Sequence, residues 1–133
     1  MSTYFSISEA NKILPTVIKK FNHSKMLKNE LIKIEQQIGL DLTSKISMGD
    51  YTILKQKLNT KVTEFYKSIE DLEGLGVVLK GLDQGLLDFP SKRFDEDVWL
   101  CWKDGETEIK FWHDMDSGFN GRKPISISDE SLV

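Results

Sequence analysis

Apolar residues recur every three or four positions along the first third of the chain, which is the spacing of an amphipathic helix. They are Ala10, Leu14, Val17, Phe21, Leu27, Leu31, Ile34 and Ile38. Ser6 and Glu9 form a capping box, because each side chain can accept a hydrogen bond from the other's backbone N–H. We predict a helix over residues 6–39, bent near Pro15 and ended by Gly39.

A second apolar stripe of the same period follows a short connection. Its members are Tyr51, Leu54, Leu58, Val62, Phe65, Ile69 and Leu72. We predict a second helix over residues 50–74, capped by Ser47 or Asp50 and ended by Gly74 and Gly76. A short connection makes neighbouring helices antiparallel, so the two should form a hairpin.

From residue 77 onward the pattern changes to short β-forming runs. The runs are Val77–Lys80, Leu86–Pro90, Asp97–Lys103 and Thr107–Met115. Asp104-Gly105 is a strong hairpin signal between the last two runs. We predict an antiparallel meander over residues 77–116, with aromatic side chains on both faces. One face would cover the helices, and the other would cover the following segment or another subunit.

Together these elements predict an α+β fold: a long antiparallel helical hairpin followed by a small antiparallel β-meander. The 133 residues suit a single domain, 1–133, with a serine-rich, acidic tail that we expect to be frayed over residues 124–133.

Composition narrows the cellular context. No apolar run is long enough to cross a bilayer, and the N-terminus lacks the pattern of a signal peptide. The single cysteine, Cys101, favours a reducing cytoplasm. Lysines are concentrated on the first helix, but the net charge is −3 and arginines are few. We therefore interpret the lysines as a solvated surface and expect no nucleic-acid partner.

A metal site is one interpretation of the residues that follow Trp112. His113 and Asp116 are candidate ligands, and Asp88, Glu9 and Cys101 would join them only if the fold brought them near. Such a set would suit a divalent metal such as zinc, iron or manganese. On a regular strand His113 would point to one face, and Asp114 and Asp116 would both point to the other. A site that uses His113 together with these acids therefore needs the strand to break near Met115. The alternative is that His113 packs among tryptophans and Asp116 caps a turn.

An anion site is a second interpretation. Gly118 and Gly121 could adopt positive φ and converge their N–H groups on an anion, with Arg122 gripping it. The alternative is that Arg122 pairs with a structural acid such as Asp88 or Asp116. Cys101 lies between Leu100 and Trp102, which is the setting of a buried, inert thiol.

Five segments together resemble the bacterial and archaeal family catalogued as domain of unknown function 2203. The segments are Glu9–Asn11, Leu14–Pro15, Gly85–Pro90, Leu100–Trp102 and Trp112–Pro124. The resemblance covers Ser6 to Pro124, with Asp114 where similar sequences tend to have glutamate. It brings no activity, but it implies positions worth testing: Glu9, Asn11, Asp88, Cys101, His113, Asp116 and Arg122.

Two functional hypotheses follow. The first is an oligomeric interaction or scaffold domain, a homodimer or a complex with another protein through the helical hairpin. It depends on apolar residues beside the main stripes, which a lone hairpin cannot bury: Ile13, Ile18, Met26, Ile53 and Tyr66. The second is a metal- or anion-binding domain, with or without enzymatic activity, centred on the Trp-His-Asp motif (112–114) and the Gly/Arg loop (118–122).

Overall fold

The computed structural model describes residues 4–43 and 46–126, and it confirms the predicted α+β fold. Within these ranges two long helices come first, and five strands and one short 3-10 turn follow. The elements are α1 (Ile7–Thr43), α2 (Met48–Glu73), β1 (Val78–Gly81), β2 (Leu86–Arg93), β3 (Glu96–Lys103), β4 (Phe111–Asp114), the 3-10 turn (Phe119–Gly121) and β5 (Lys123–Pro124). No helix within the described ranges is long and apolar enough to cross a membrane.

The chain divides into two compact units. One comprises residues 20–71 and contains most of the two helices; we call it the hairpin unit. The other comprises residues up to Lys19 together with those from Leu72 onward; we call it the sheet unit. Each has buried apolar residues of its own.

Within the hairpin unit the helices run antiparallel, as the short connection predicts. The Ser24 and Ser68 hydroxyls meet at 2.8 Å, and Lys61 Nζ lies 2.8 Å from Glu30 Oε2. Ser24 precedes Glu30 on α1, whereas the partner of Ser24 follows the partner of Glu30 on α2, so the two helices run in opposite directions. The buried apolar residues of α1 in this unit, Phe21, Leu27, Leu31 and Ile38, all belong to the predicted stripe, whereas Ile34 of that stripe is only half-buried.

The helix ends match the capping signals, and α2 ends at Glu73, directly before the predicted stop at Gly74 and Gly76, but the predicted glycine stop of α1 is not observed. The Glu9 N–H donates to Ser6 Oγ and the Ser6 N–H donates to Glu9 Oε1, which completes the predicted capping box. Ser47, not Asp50, caps α2, because its Oγ accepts the Asp50 N–H at 3.0 Å. The prediction that Gly39 ends α1 is wrong. Gly39 lacks the positive φ of a terminating glycine, and α1 continues to Thr43.

The five strands form one sheet in the order β1-β2-β3-β4-β5, and every neighbouring pair is antiparallel. One face holds the core of the sheet unit, including Leu87, Phe89, Leu100 and Trp102. Residues that precede α1 dock on β2: the Phe5 N–H donates to the Pro90 carbonyl, and Ser91 Oγ donates to the Phe5 carbonyl. The Phe5 and Phe89 rings meet edge to face at 5.4 Å.

The turns between strands differ from the prediction. A two-residue turn, Phe94-Asp95, joins β2 to β3, and both residues have positive φ. By contrast, Asp104-Gly105 is not a tight hairpin turn, since β3 ends at Lys103 and its partner β4 begins only at Phe111. The strand predicted over Thr107–Met115 is therefore too long, because β4 covers only Phe111–Asp114.

The segment before β4 is hydrogen-bonded to β3 through Glu106 and also to α1. The Ile109 N–H donates to the Asn11 side chain at 2.7 Å, within the sheet unit.

The first residues of the segment that we expected to be frayed, 124–133, are instead hydrogen-bonded to β4 or to the residue before it. Lys123–Pro124 forms β5 and pairs with Phe111 and Trp112 on β4. The Ile125 N–H donates to the Lys110 carbonyl at 2.9 Å. The remainder of the predicted tail, residues 127–133, lies outside the described residues.

Candidate metal centre

Three neighbouring strands each place one candidate ligand on the same face of the sheet. Asp88 on β2 lies opposite Cys101 on β3, and Trp99 on β3 lies opposite His113 on β4. Residues two apart on a strand share a face, so Cys101 shares a face with Trp99 and therefore with His113. This is the face opposite the one that holds Leu100 and Trp102.

The three side chains converge in a buried cluster. Asp88, Cys101 and His113 are 3%, 1% and 3% exposed, respectively. A carboxylate oxygen, the thiol sulfur and an imidazole nitrogen all lie within 4.8 Å of one another. Carboxylate, thiolate and imidazole are all metal ligands, so this set has the chemistry of a metal site.

Hydrogen bonds fix which nitrogen of His113 faces the cluster. Nδ1 lies 2.9 Å from the Asp114 carbonyl oxygen, and Nε2 lies 3.0 Å from Asp88 Oδ2. A carbonyl oxygen can only accept, so Nδ1 carries a hydrogen. One further proton is then shared between Nε2 and the Asp88 carboxyl group. When that proton leaves, a lone pair on Nε2 points toward Asp88.

Burial opposes charge in this cluster. Desolvation raises the pKa of Asp88 above its usual range, and the nearby His113 acts in the opposite direction. Desolvation, reinforced by the Asp88 carboxylate, also raises the pKa of the Cys101 thiol to about 12. Without a cation between them the cluster therefore retains protons. A bound metal would reverse that preference, because a coordinating thiol is deprotonated.

A cavity of about 110 Å³ opens beside the cluster. Its lining includes the three candidate ligands, the segment after β4, and the exposed residue Lys80. The Lys80 ammonium lies 4.3 Å from the centre of the Trp99 ring, which also lines the cavity. An ion bound by the three side chains would therefore face open space.

Arg122 reaches the cluster from the segment just before β5. Its guanidinium stacks on Phe111 at 3.9 Å and Phe119 at 4.3 Å, and Nη1 lies 3.0 Å from Glu106 Oε2. Arg122 therefore pairs with an acid, as one interpretation predicted, but that acid is Glu106 and not Asp88 or Asp116. The charge of Arg122 and its hydrogen bond to Cys101 favour the thiolate.

Two of the five sequence-derived metal candidates lie elsewhere. Glu9 is engaged in the capping box at the start of α1, and Asp116 is exposed on the segment after β4 and does not belong to the cluster. Asn11, which the family resemblance singled out, accepts the Ile109 N–H.

The glycines of the expected anion site do not adopt the geometry such a site needs. Gly118 is extended, at φ −103°, and Gly121 also lacks positive φ. A Cβ on Gly121 would lie 2.7 Å from the Ser117 Cβ, so this glycine permits a close approach. The expectation of positive φ at these two positions is wrong, and the anion-binding nest built on it has no support here.

Sequence reasoning missed Lys80 and Trp99 as parts of the site. Both belong to strands whose alternation was visible, and Trp99 is two residues before Cys101, which places it on the same face. The neighbour of Lys80 could not be identified, because a register shift between Leu79 and Gly81 interrupts the pairing of β1 with β2.

Comparisons with known proteins give one family. The family model described as "Uncharacterized conserved protein (DUF2203)" matches residues 3–125. Among curated proteins and among solved structures, nothing matches the chain.

Proposed function

The chain belongs to the DUF2203 family of uncharacterised conserved proteins, and we propose that it binds one transition-metal ion through Asp88, Cys101 and His113. The observation that carries this proposal is the convergence of three different ligand atoms within 4.8 Å of one another in a buried cluster. Ligands around tetrahedral zinc lie roughly 3.5 Å apart. The 3.0 Å between His113 Nε2 and Asp88 Oδ2 is already close to that spacing.

The ligand types narrow the choice of metal. A thiolate is a soft ligand and disfavours magnesium, calcium and manganese, whereas imidazole and carboxylate suit zinc and iron. Zinc or iron is therefore the expected occupant, and zinc is the simpler one to test because it has no redox chemistry.

The hydrogen bond of the other His113 ring nitrogen, Nδ1, also supports a metal site. Metal-binding histidines usually donate their other ring N–H to a carbonyl or carboxylate, which fixes the tautomer and the ring orientation. His113 has this arrangement, with Nδ1 on the Asp114 carbonyl and Nε2 facing Asp88 and Cys101.

The number of ligands indicates an open site. Structural zinc sites usually have four protein ligands, whereas catalytic sites have three and leave a position for water or substrate. The cluster supplies three within the described ranges, and the cavity of about 110 Å³ adjoins them. The proposed centre therefore binds an exogenous ligand on the metal, which is the arrangement used in metal-assisted catalysis.

Equilibrium dialysis against zinc followed by elemental analysis tests the proposal. We expect about one zinc per wild-type chain, and strongly reduced retention in Asp88→Asn, Cys101→Ser and His113→Gln. Asp116→Asn is the matched control, because Asp116 is a carboxylate close in sequence to His113 but outside the cluster. Near-ultraviolet circular dichroism verifies that each variant is folded. Equal zinc content in wild type and in folded cluster variants would reject the site.

A second proposal concerns the hairpin unit, and a different observation favours it. We propose that this unit mediates self-association as a homodimer. Met26, Ile53 and Tyr66, three of the five residues on which the sequence hypothesis depended, are 48%, 51% and 63% exposed. Large apolar side chains left in water favour a contact that covers them.

Sedimentation over a range of protein concentrations tests self-association. We expect the average mass to rise toward a dimer with concentration, and Ile53→Glu or Tyr66→Glu to prevent that rise. Lys55→Glu, also on an exposed position of α2, is the control for added negative charge. A concentration-independent monomer would reject the homodimer and leave the metal site unaffected.

The metal proposal also bears on cellular location. A thiolate ligand requires a cysteine that is not oxidised, and Cys101 is a free, buried thiol. We therefore propose the cytoplasm as the compartment in which the centre operates.

A further inference from the structure

The cavity beside the candidate metal centre has three kinds of lining. The ligand set of Asp88, Cys101 and His113 forms one part, and aromatic rings of Trp99 and Phe119 form another. Lys80 supplies an ammonium group, which lies 4.3 Å from the centre of the Trp99 ring. A molecule in this cavity would therefore meet a metal, an apolar wall and a cation.

The charges around the cavity favour an anion. A divalent ion with one carboxylate, one thiolate and a neutral imidazole carries no net charge. The guanidinium of Arg122 is offset by Glu106, whose oxygens lie 3.0 and 3.1 Å from Nη1. The ammonium of Lys80 adds a positive charge close to Asp88. An incoming monoanion would meet the metal and this ammonium together, in a partly desolvated setting that strengthens both interactions.

The size of the cavity limits the ligand. A water molecule has a share of about 30 Å³ in the liquid. The cavity of about 110 Å³ must also leave room at its base for the metal, so the ligand has only a few heavy atoms. A flat group suits the aromatic wall better than a tetrahedral one.

We propose that the open position of the metal takes a small carboxylate, with one oxygen on the metal and the other toward the Lys80 ammonium. This inference rests on the proposed metal site and adds a ligand class to it. Lys80 is not one of the proposed metal ligands, so replacing it should leave the metal content at saturation unchanged.

Cobalt(II) replaces zinc in such sites and reports its own ligands through visible absorption. We would load the full chain with cobalt and titrate it with acetate and with acetamide, which has the same shape but no charge, at constant ionic strength. Three proteins are compared: wild type, Lys80→Met and Lys92→Met. Lys92 is a matched control, because its ammonium also lies over an aromatic ring, Tyr4 at 4.7 Å, but it does not line the cavity.

We expect acetate, but not acetamide, to change the cobalt spectrum of the wild type in a saturable way. Lys80→Met should weaken acetate binding about tenfold, since a charge-assisted hydrogen bond is lost, and Lys92→Met should leave it unchanged. Each protein should bind the same amount of cobalt.

The possible failures are distinguishable. If the wild type gives no thiolate-to-cobalt absorption, the metal site itself is rejected. If cobalt binds but acetate leaves its spectrum unchanged, or if acetamide acts as well as acetate, the carboxylate inference is rejected and the metal site stands. Equal acetate affinity in Lys80→Met and Lys92→Met would remove Lys80 from the ligand site.

Discussion

His113 Nε2 contacts Asp88 Oδ2 at 3.0 Å across the intervening strand β3, which carries Cys101. The contact joins the second and fourth strands of the sheet, so it closes the cluster from both sides of Cys101. It also holds a proton, because the Nδ1 hydrogen is used on the Asp114 carbonyl. A metal held by these two side chains would have to displace that shared proton.

The first prediction is that metal binding releases about two protons per chain near neutral pH. One is the proton shared by His113 and Asp88. The other comes from Cys101, whose pKa of about 12 keeps it a thiol when no metal is bound. Zinc affinity should therefore rise with pH through the neutral range, since protons compete with the metal. Calorimetry of zinc binding in buffers of different ionisation enthalpy measures the number released.

Cys101→Ser supplies the control for proton release. This variant lacks the thiol, so whatever zinc it binds should release about one proton fewer than the wild type. Release of no protons by the wild type would contradict both the shared proton and the thiolate ligand.

The second prediction concerns Arg122, which favours the Cys101 thiolate without being a ligand. Arg122→Met should weaken zinc binding several-fold and leave the stoichiometry unchanged, because the thiolate loses a nearby positive charge. Arg122→Lys should restore only part of the affinity. A lysine lacks the planar fork that stacks between Phe111 and Phe119 while pairing with Glu106.

Competition with a zinc-sensitive dye measures these affinities. Lys110→Met, which removes an exposed positive charge from the same unit, controls for net charge alone. Identical affinities in Arg122→Met and Lys110→Met would show that Arg122 does not act on the thiolate.

The sequence predicts the helices better than the site for a physical reason. The period of a helical stripe and the Ser6–Glu9 capping box are local, so both were visible without a structure. The site depends on strand register, and a slip of one residue would move Asp88 to the other face of the sheet. That register is set by the Phe94-Asp95 turn, which lacks the glycine or asparagine that usually marks such turns.

Strand register also explains why the metal ligands predicted from the sequence include residues that do not join the cluster. Asp88, Cys101 and His113 were named from the sequence together with Glu9 and Asp116, and only the register selects among them. The sequence does not identify the partner of Arg122, for a similar reason. Glu106 lies in the long connection before β4, where a tight hairpin was predicted and no side-chain position could be inferred.

The third prediction concerns the buried serine pair of the hairpin unit. Ser68 Oγ donates to the Phe65 carbonyl, so the bond between the two hydroxyls is donated by Ser24. Ser68→Ala leaves the Ser24 hydroxyl without its acceptor and should lower the free energy of unfolding by about 1–2 kcal/mol. Ser24→Ala leaves Ser68 bonded to Phe65 and should cost less.

A double-mutant cycle in urea measures the coupling between these serines. The double alanine variant should be less destabilised than the two single changes added together, because it removes both hydroxyls and leaves neither unpaired. Additive losses would mean that the two hydroxyls do not interact.

The fourth prediction concerns the turn that sets the register of the site. Phe94 and Asp95 have φ of 50° and 65°, a region that a bulky residue such as phenylalanine enters only with strain. Phe94→Asn with Asp95→Gly supplies the residues that a two-residue turn of this kind prefers. The double variant loses the exposed contact between Arg93 and the Phe94 ring at 4.8 Å, which offsets part of the gain.

The net effect should be a rise of about 0.5–1 kcal/mol in the free energy of unfolding. Urea unfolding measures it, and Asp97→Gly is the control, because that residue lies in strand β3 at a position without positive φ. Glycine there should destabilise. Because the improved turn keeps Asp88 opposite Cys101, zinc affinity should remain that of the wild type. A stabilised turn that lost zinc binding would contradict the link between this register and the metal centre.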